Sequence, residues 1–204
     1  MYQSTAGALS EHREWGTVTS FRRLYLYYTA EELRRVGGLR AGAAESKMLH
    51  ESLQGRYRTA FDIFLSHSSL DAAVIYGLKR LLEGQGLSVY VDWVNDPELD
   101  RSRVSAATAE RLRVRMTASH SLVYATSRAA SQSRWMPWEL GYFDGRRGPD
   151  KVAVCPIEDG SGSEGQEYLD LYRKVEKSSL GGAPVVFNRL RTSSTTLRSF
   201  ARAA

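Results

Sequence analysis

From Phe61 onward, short apolar runs alternate with segments of helical periodicity, and this alternation constrains the fold more than any other feature of the chain. The first apolar run is Phe61–Leu65. In the segment that follows it, Leu70, Val74 and Leu78 fall on one helix face. Alternation of strand and helix predicts βαβ units and a parallel sheet. Because the strands are continuous apolar runs, we expect helices to cover both faces of that sheet.

The same alternation continues to residue 187 and predicts five strands in all. The later strands are expected at Leu87–Asp92, His120–Thr126, Lys151–Ile157 and Ala183–Phe187. The later helices are expected at about 104–116, 137–146, 166–177 and 195–202. Residues 61–187 are therefore predicted to form an α/β domain with a central, parallel, five-stranded sheet.

The two ends of the chain are predicted to lie outside this domain. Residues 21–36 and 45–60 have weakly helical patterns, separated by Gly37 and Gly38. We therefore expect residues 1–60 to form a helical extension, which could be a cap, a dimerisation element or a partly ordered arm. Residues 188–204 are expected to form a basic C-terminal tail or helix.

The net charge of +5 comes from the two ends of the chain and not from the central domain. Residues 1–60 carry a net charge of +3, residues 61–187 carry −2 and residues 188–204 carry +4. A nucleic-acid-binding core would carry its own basic face, so nucleic acid is not the expected ligand. No apolar run reaches the roughly 18 residues of a membrane span, and no signal peptide is expected. The single cysteine, Cys155, excludes an internal disulfide and favours the cytoplasm.

Ligands of open parallel sheets bind beyond the carboxyl ends of the strands. The segments expected at that edge are Ser66–Ser68, Asp92–Asp96, Thr126–Ser127 and the residues after Ile157. The first turn lacks both the dinucleotide-binding and the P-loop glycine patterns. Its serines could hold an anion at a helix N-terminus, or they could simply cap the helix. The histidines and the cysteine have no metal-ligand spacing, so neither a metal nor another cofactor is expected.

The segment from Ser133 to Gly145 places two tryptophans beside one carboxylate. Pro137 suits the first turn of a helix, and in that turn the helix dipole alone would favour Glu139. Trp135 and Glu139 are four residues apart, so they can border a shared pocket. Aromatic faces beside a carboxylate suit a flat, cationic ligand.

Three motifs together resemble those of TIR domains in residue type, order and spacing. The segment Phe61–Ser68 is similar to the first strand and loop of these domains, and the strand ending at Asp92 is similar to their second strand. The pattern Ser133-x-Trp135-x-x-x-Glu139 resembles their S-x-W-x-x-x-E signature. The residues after it look like bacterial members, including TIR proteins of Thoeris-type anti-phage defence. This resemblance covers about 125 residues and implies a flavodoxin-like, three-layer TIR fold.

For enzymatic TIR domains the resemblance implies cleavage of NAD+ to nicotinamide and an ADP-ribose product, which can be hydrolysed, cyclic or conjugated. It implies that Glu139 is the catalytic residue and that Trp135 lies beside the substrate. Nicotinamide leaves as a neutral molecule, so one carboxylate could suffice where ordinary glycosidases need two. The resemblance further implies self-association through TIR domains. A nucleotide product would then act on a separate effector.

The resemblance also indicates which residues would line the substrate site. Ser66 and His67 would border the nucleotide. Asp92, Trp93 and Asn95 would lie in or beside the mobile loop after the second strand. Two features depart from the family pattern: this loop lacks the glycine-containing form of receptor TIR domains, and the sixty-residue extension has no counterpart.

Two alternatives to the enzyme stay open at the level of sequence. One is a non-catalytic TIR module that scaffolds other TIR proteins. The other is a nucleoside- or flavin-binding protein of similar fold. The presence of both Trp135 and Glu139 favours the enzyme over the scaffold.

Overall fold

The apolar runs form the sheet at the centre of the protein, as a computed structural model shows. The structure describes residues 26–38, 58–68, 72–159, 166–178 and 182–203. Within these residues the sheet has eight strands. They are β1 (Tyr28–Thr29), β2 (Phe61–Ser66), β3 (Val89–Tyr90), β4 (Ser119–Thr126), β5 (Val152–Glu158), β6 (Arg173–Lys177), β7 (Pro184–Phe187) and β8 (Ser194–Thr196).

The order of the strands identifies the class of fold. The hydrogen-bonded order is β3-β2-β4-β5-β6-β7-β8, and β1 pairs with β5 in addition. The pairs β3–β2, β2–β4, β4–β5 and β5–β6 are parallel, whereas the pairs β6–β7 and β7–β8 are antiparallel. Numbered along the chain, the five parallel strands have the order 2-1-3-4-5, which is that of flavodoxin-like folds. The predicted fold class is therefore confirmed.

Helices cover both faces of the sheet. They are α1 (Ala30–Gly37), α2 (Ala72–Glu83), α3 (Asp92–Asn95), α4 (Ala106–Thr117), α5 (Trp135–Arg147) and α6 (Leu197–Arg202). Successive residues of a strand point to opposite faces, so Val123 of β4 joins the apolar cluster beneath α1, α2 and α6. Its neighbours Leu122 and Tyr124 join the cluster beneath α4 and α5. Among the described residues, no helix has the length and apolar character needed to cross a membrane.

The helix predicted over residues 166–177 is wrong. This segment contains a short 3-10 helix, Glu167–Leu171, followed by strand β6. The expectation came from the three-residue spacing of Leu169, Tyr172 and Val175. In the structure Leu169 and Tyr172 belong to one apolar cluster and Val175 to the other, so these side chains lie on opposite faces of the sheet. Consequently β6 is the fifth parallel strand, and the predicted strand at 183–187 is an antiparallel addition beside it.

The described part of the N-terminal extension packs onto the domain. Strand β1 pairs with the carboxyl end of β5, where Tyr28 lies opposite Ile157. Thr29 begins α1 through a reciprocal capping box with Glu32. Residues 21–25 and 45–57, which were predicted to be helical, lie outside the described part of the chain.

Helix α1 approaches α2 so closely that only glycine fits at the contact. A Cβ atom on Gly77 would lie 1.8 Å from the carbonyl oxygen of Leu33. Leu33 is fully buried, so this contact anchors the extension to the domain. A glycine inside a helix normally costs stability, and here the close packing of two backbones offsets that cost.

We expect Gly77→Ala to lower the free energy of unfolding by about 1 to 3 kcal/mol, because the added methyl group overpacks the contact with α1. Urea unfolding of the purified protein measures this change. The matched control is Gly145→Ala in α5, where a Cβ would meet no atom within 4 Å. There the better helix propensity of alanine should stabilise the protein by up to about 1 kcal/mol. Equal stability of the two variants would contradict the proposed contact.

Candidate active site

Three elements bring polar side chains together at the carboxyl edge of the sheet. Ser66 is the last residue of β2, and Asp92 is the first residue of α3 after β3. Glu139 lies in the second turn of α5. All three side chains are buried, with exposed fractions of 0%, 2% and 0% respectively. Two carboxylates are therefore held out of water at the edge where parallel sheets bind ligands.

The sequence of α5 turns Glu139 towards the sheet. Met136, Leu140 and Phe143 are buried on the inner face of this helix. Glu139 has the same helical spacing, so it lies in the middle of an otherwise apolar face. Ser133 fixes the start of the helix, since its hydroxyl accepts a hydrogen bond from the backbone N–H of Met136 at 3.2 Å. A carboxylate on a buried face is costly unless polar partners compensate it.

Both oxygens of Glu139 have such partners. The hydroxyl of Ser66 donates to Oε2 at 2.6 Å. The guanidinium of Arg101 donates to Oε1 through Nη2 at 2.7 Å. The other arm of the same guanidinium, Nη1, donates to Oδ2 of Asp92 at 2.7 Å. Arg101 thus bridges the two buried carboxylates, and only 14% of its own side chain is exposed.

The charge state of Glu139 depends on opposing influences. Burial raises the pKa of this carboxyl above its usual value of 4.5, and the nearby carboxylate of Asp92 acts in the same direction. The cation of Arg101 and the hydrogen bond from Ser66 lower it in part. For Arg101 itself burial disfavours the cation, but the charges of Glu139 and Asp92 outweigh burial and raise its pKa. Arg101 therefore stays charged and partly offsets the rise in the pKa of Glu139.

His67 is a fixed hydrogen-bonding residue beside this pair of carboxylates. Its side chain is 1% exposed. Nε2 accepts a hydrogen bond from the indole N–H of Trp93 at 2.7 Å, because an indole nitrogen can only donate. Nδ1 lies 2.8 Å from the carbonyl oxygen of Leu65 and donates to it. The hydrogen bond from Trp93 therefore connects His67, in the first loop, to the segment after β3.

Trp135 borders a cavity of about 300 Å³ next to this network. The lining residues are His67, Ser68, Arg101, Ser102, Gln132, Ser133, Arg134 and Trp135. The indole N–H of Trp135 donates to the backbone carbonyl of Arg101 at 3.1 Å. Glu139 does not line the cavity, because Arg101 covers its carboxylate. The indole of Trp135 therefore forms one wall of the cavity, and the side chain of Arg101 separates the cavity from the carboxylate of Glu139.

The structure assembles six of the seven predicted site residues. These are Ser66, His67, Asp92, Trp93, Trp135 and Glu139. It does not bring Asn95 to them. Helix α3 turns the chain after Asp92, and the side chain of Asn95 folds back to accept a hydrogen bond from the backbone N–H of Val91 at 2.8 Å. Asn95 lines a different cavity, of about 620 Å³, near the amino ends of β2 and β3.

Arg101 is the residue of this site that the sequence analysis missed. Its side chain reaches back from the loop between α3 and α4 to two carboxylates that precede and follow it in the chain. The only sequence signal is a cation in the loop that follows a strand ending in Asp92. That signal is weak, because loops are rich in charged residues whose side chains face solvent.

Comparisons with known proteins are consistent with this geometry. No family model matches the chain. The chain is 54% identical over 123 residues to a Bacillus cereus protein named "Probable 3' cyclic ADP-D-ribose synthase ThsB'". That match covers 59% of this chain and 63% of the relative. The chain is also 31% identical over 93 residues to a Cytobacillus dafuensis protein named "Putative cyclic ADP-D-ribose synthase TIR2", covering 45% of this chain and 24% of the relative.

These matches confirm the resemblance to TIR proteins that the three motifs predicted. The chain spans less than two thirds of the length of either relative.

We expect the pKa of Glu139 to rise further when Arg101 is replaced by glutamine, because an opposite charge in direct contact is removed. Carbon-13 NMR of labelled glutamate side chains over a pH series measures this titration. The matched control is Arg111→Gln, which removes an arginine that pairs with Asp96 instead. A Glu139 titration identical in the parent and in Arg101→Gln would contradict the bridging role of Arg101.

Proposed function

We propose that this chain cleaves NAD+ at the bond between nicotinamide and ribose and converts the ADP-ribose part into a cyclic product. The observation that carries the proposal is the buried carboxylate of Glu139, which lies beside an aromatic cavity at the carboxyl edge of the sheet. The names of both relatives support a cyclic ADP-ribose product, and the name of the first supports a 3′ linkage. Hydrolysed ADP-ribose is the expected side product.

The chemistry requires little more than a well-placed anion. When the bond from ribose C1′ to the pyridinium nitrogen breaks, its electron pair stays with nicotinamide, which leaves neutral. The ribose then carries oxocarbenium-like positive charge, and the carboxylate of Glu139 stabilises it in a site shielded from water. A hydroxyl oxygen from the adenosine half of the molecule bonds to C1′ and releases its proton, which closes the ring. If water attacks instead, the product is ADP-ribose.

The proposal also requires the loop that carries Arg101 to move. The guanidinium occupies the space in front of Glu139, and both carboxylates hold it there. NAD+ brings its own positive charge on the pyridinium ring, so the substrate can replace Arg101 as the cation that faces Glu139. Withdrawal of Arg101 also breaks the hydrogen bond that its carbonyl accepts from Trp135. Substrate binding and loop opening are therefore coupled.

The wider biological context follows from the same proposal. A cyclic nucleotide product is suited to act as a signal on a separate effector in anti-phage defence. We further propose that the protein acts in the cytoplasm, where NAD+ is available, and that it self-associates when active. The single cysteine, Cys155, is buried in the apolar core and fits a reducing compartment.

We expect Glu139→Gln to reduce NAD+ consumption by at least about 100-fold, because the amide cannot stabilise the developing positive charge. Purified protein at high concentration is incubated with NAD+, and the products are separated by mass. The matched control is Glu83→Gln, a half-buried glutamate of α2 that pairs with Lys79 away from the site. Full turnover by Glu139→Gln would refute the assignment. Absence of turnover in the parent under the same conditions would favour the non-catalytic scaffold.

We expect NAD+ to increase backbone hydrogen exchange in residues 97–105 of the parent protein during brief labelling pulses, because bound substrate displaces the Arg101 loop. Mass spectrometry of the exchanged protein with and without NAD+ measures this change. Strand β4, in the centre of the sheet, serves as the internal reference and should not respond. Protection of residues 97–105 that is unchanged by saturating NAD+ would contradict the opening step.

A further inference from the structure

The ring of Trp135 packs in the apolar cluster beneath α4 and α5, and it makes two directional contacts, of which one survives the opening of the site. The first is the hydrogen bond from its indole N–H to the carbonyl of Arg101, which belongs to the loop that must withdraw. The second is Trp138, whose ring meets Trp135 edge to face, with centroids 5.5 Å apart and planes at 78°. In the open site Trp138 is therefore the aromatic contact that remains for Trp135.

Trp138 is itself held on two sides. Tyr142, one turn further along α5, stacks on it with centroids 5.8 Å apart and planes at 21°. From α4, the guanidinium carbon of Arg113 lies 5.4 Å from the centre of the Trp138 ring, which is within the range of a cation–π interaction. Arg113 is oriented in turn by Glu110 at 3.2 Å. We call Trp138, Tyr142 and Arg113 the Trp138 stack.

The Trp138 stack lies at the margin of the buried core, where Trp138 and Tyr142 pack against the apolar cluster beneath α4 and α5. Trp138, Tyr142 and Arg113 are each half-buried, whereas Trp135 beside them is 6% exposed. None of the three lines the cavity beside Arg101. The stack therefore touches the wall of the cavity from behind, where it can set the orientation of Trp135 without contacting substrate.

We propose that the Trp138 stack positions Trp135 and thereby sets the ratio of cyclic to hydrolysed product. The proposal rests on the NAD+-cleaving function proposed above. After nicotinamide leaves, water and a ribose hydroxyl compete for C1′. A fixed indole face on the cavity wall keeps the adenosine half folded towards C1′ and excludes water. A mobile indole admits water, so ADP-ribose forms at the expense of the ring-closed product. Trp138 is thus a positioning residue that acts through Trp135.

The test compares product ratios among variants of the full chain. Trp138→Leu removes the edge contact, and we expect it to lower the ratio of cyclic product to ADP-ribose by about threefold to tenfold, the order of magnitude of one aromatic pair. Total NAD+ consumption should change by less than about threefold, because Glu139 is untouched. Trp138→Phe retains an aromatic ring and should restore most of the ratio. Arg146→Ala, at the far end of α5, is the matched control and should behave as the parent.

A second measurement follows Trp135 directly and needs no turnover. Each of the four tryptophans gives one indole N–H signal in nitrogen-15 NMR. We expect the relaxation of the Trp135 indole signal in Trp138→Leu to indicate increased fast motion of the ring. In Trp138→Phe the relaxation of this signal should stay close to that of the parent. An unchanged Trp135 signal together with an unchanged product ratio would overturn the proposal. If the parent does not consume NAD+, the proposed function fails, and the indole signal alone then decides whether Trp138 positions Trp135.

Discussion

The bridge from Arg101 to Asp92 and Glu139 is the interaction on which the organisation of the site depends. Two carboxylates buried at one edge of a sheet repel each other and lose their hydration, and both effects disfavour their ionised forms. Arg101 supplies a cation between them and ties the loop after α3 to both α3 and α5. The indole of Trp135 is fastened to the same loop through the Arg101 carbonyl. One residue therefore controls the charge, the accessibility and the aromatic wall of the site.

The fold explains why these groups meet. In a parallel sheet the carboxyl ends of neighbouring strands share an edge, so the residues after β2 and β3 are adjacent although 26 positions separate Ser66 from Asp92. Helix α5 then crosses the same edge and turns Glu139 inward among apolar neighbours. The carboxylate owes its burial to the helical face on which it lies. Its reactivity depends on the side chains that the strands and the loop bring to it.

Local patterns predicted much of this arrangement, and their failures have physical causes. The apolar runs at β2, β4 and β5 are long and continuous, so the sheet and the residues at its edge could be predicted. The structure of residues 166–177 could not be predicted in this way. Apolar residues spaced three apart, which are typical of a helix, also occur when a turn and a strand place side chains on opposite faces of a sheet. Arg101 was not predicted because its salt bridge to Glu139 joins residues 38 positions apart and therefore produces no local sequence pattern. Asn95 was expected at the site because its position in α3 depends on a turn that the apolar pattern does not reveal.

The contact between Gly77 and Leu33 has a consequence for reading related sequences. A glycine inside a helix normally lowers the stability of that helix. Here Gly77 instead allows a second helix to pack directly against it. A chain that keeps glycine at this position of helix α2 can dock an N-terminal helix in the same groove. A chain with a larger residue there overpacks this groove and docks an N-terminal helix only at a cost in stability. A single small residue inside the domain is thus a marker for an element some forty positions upstream.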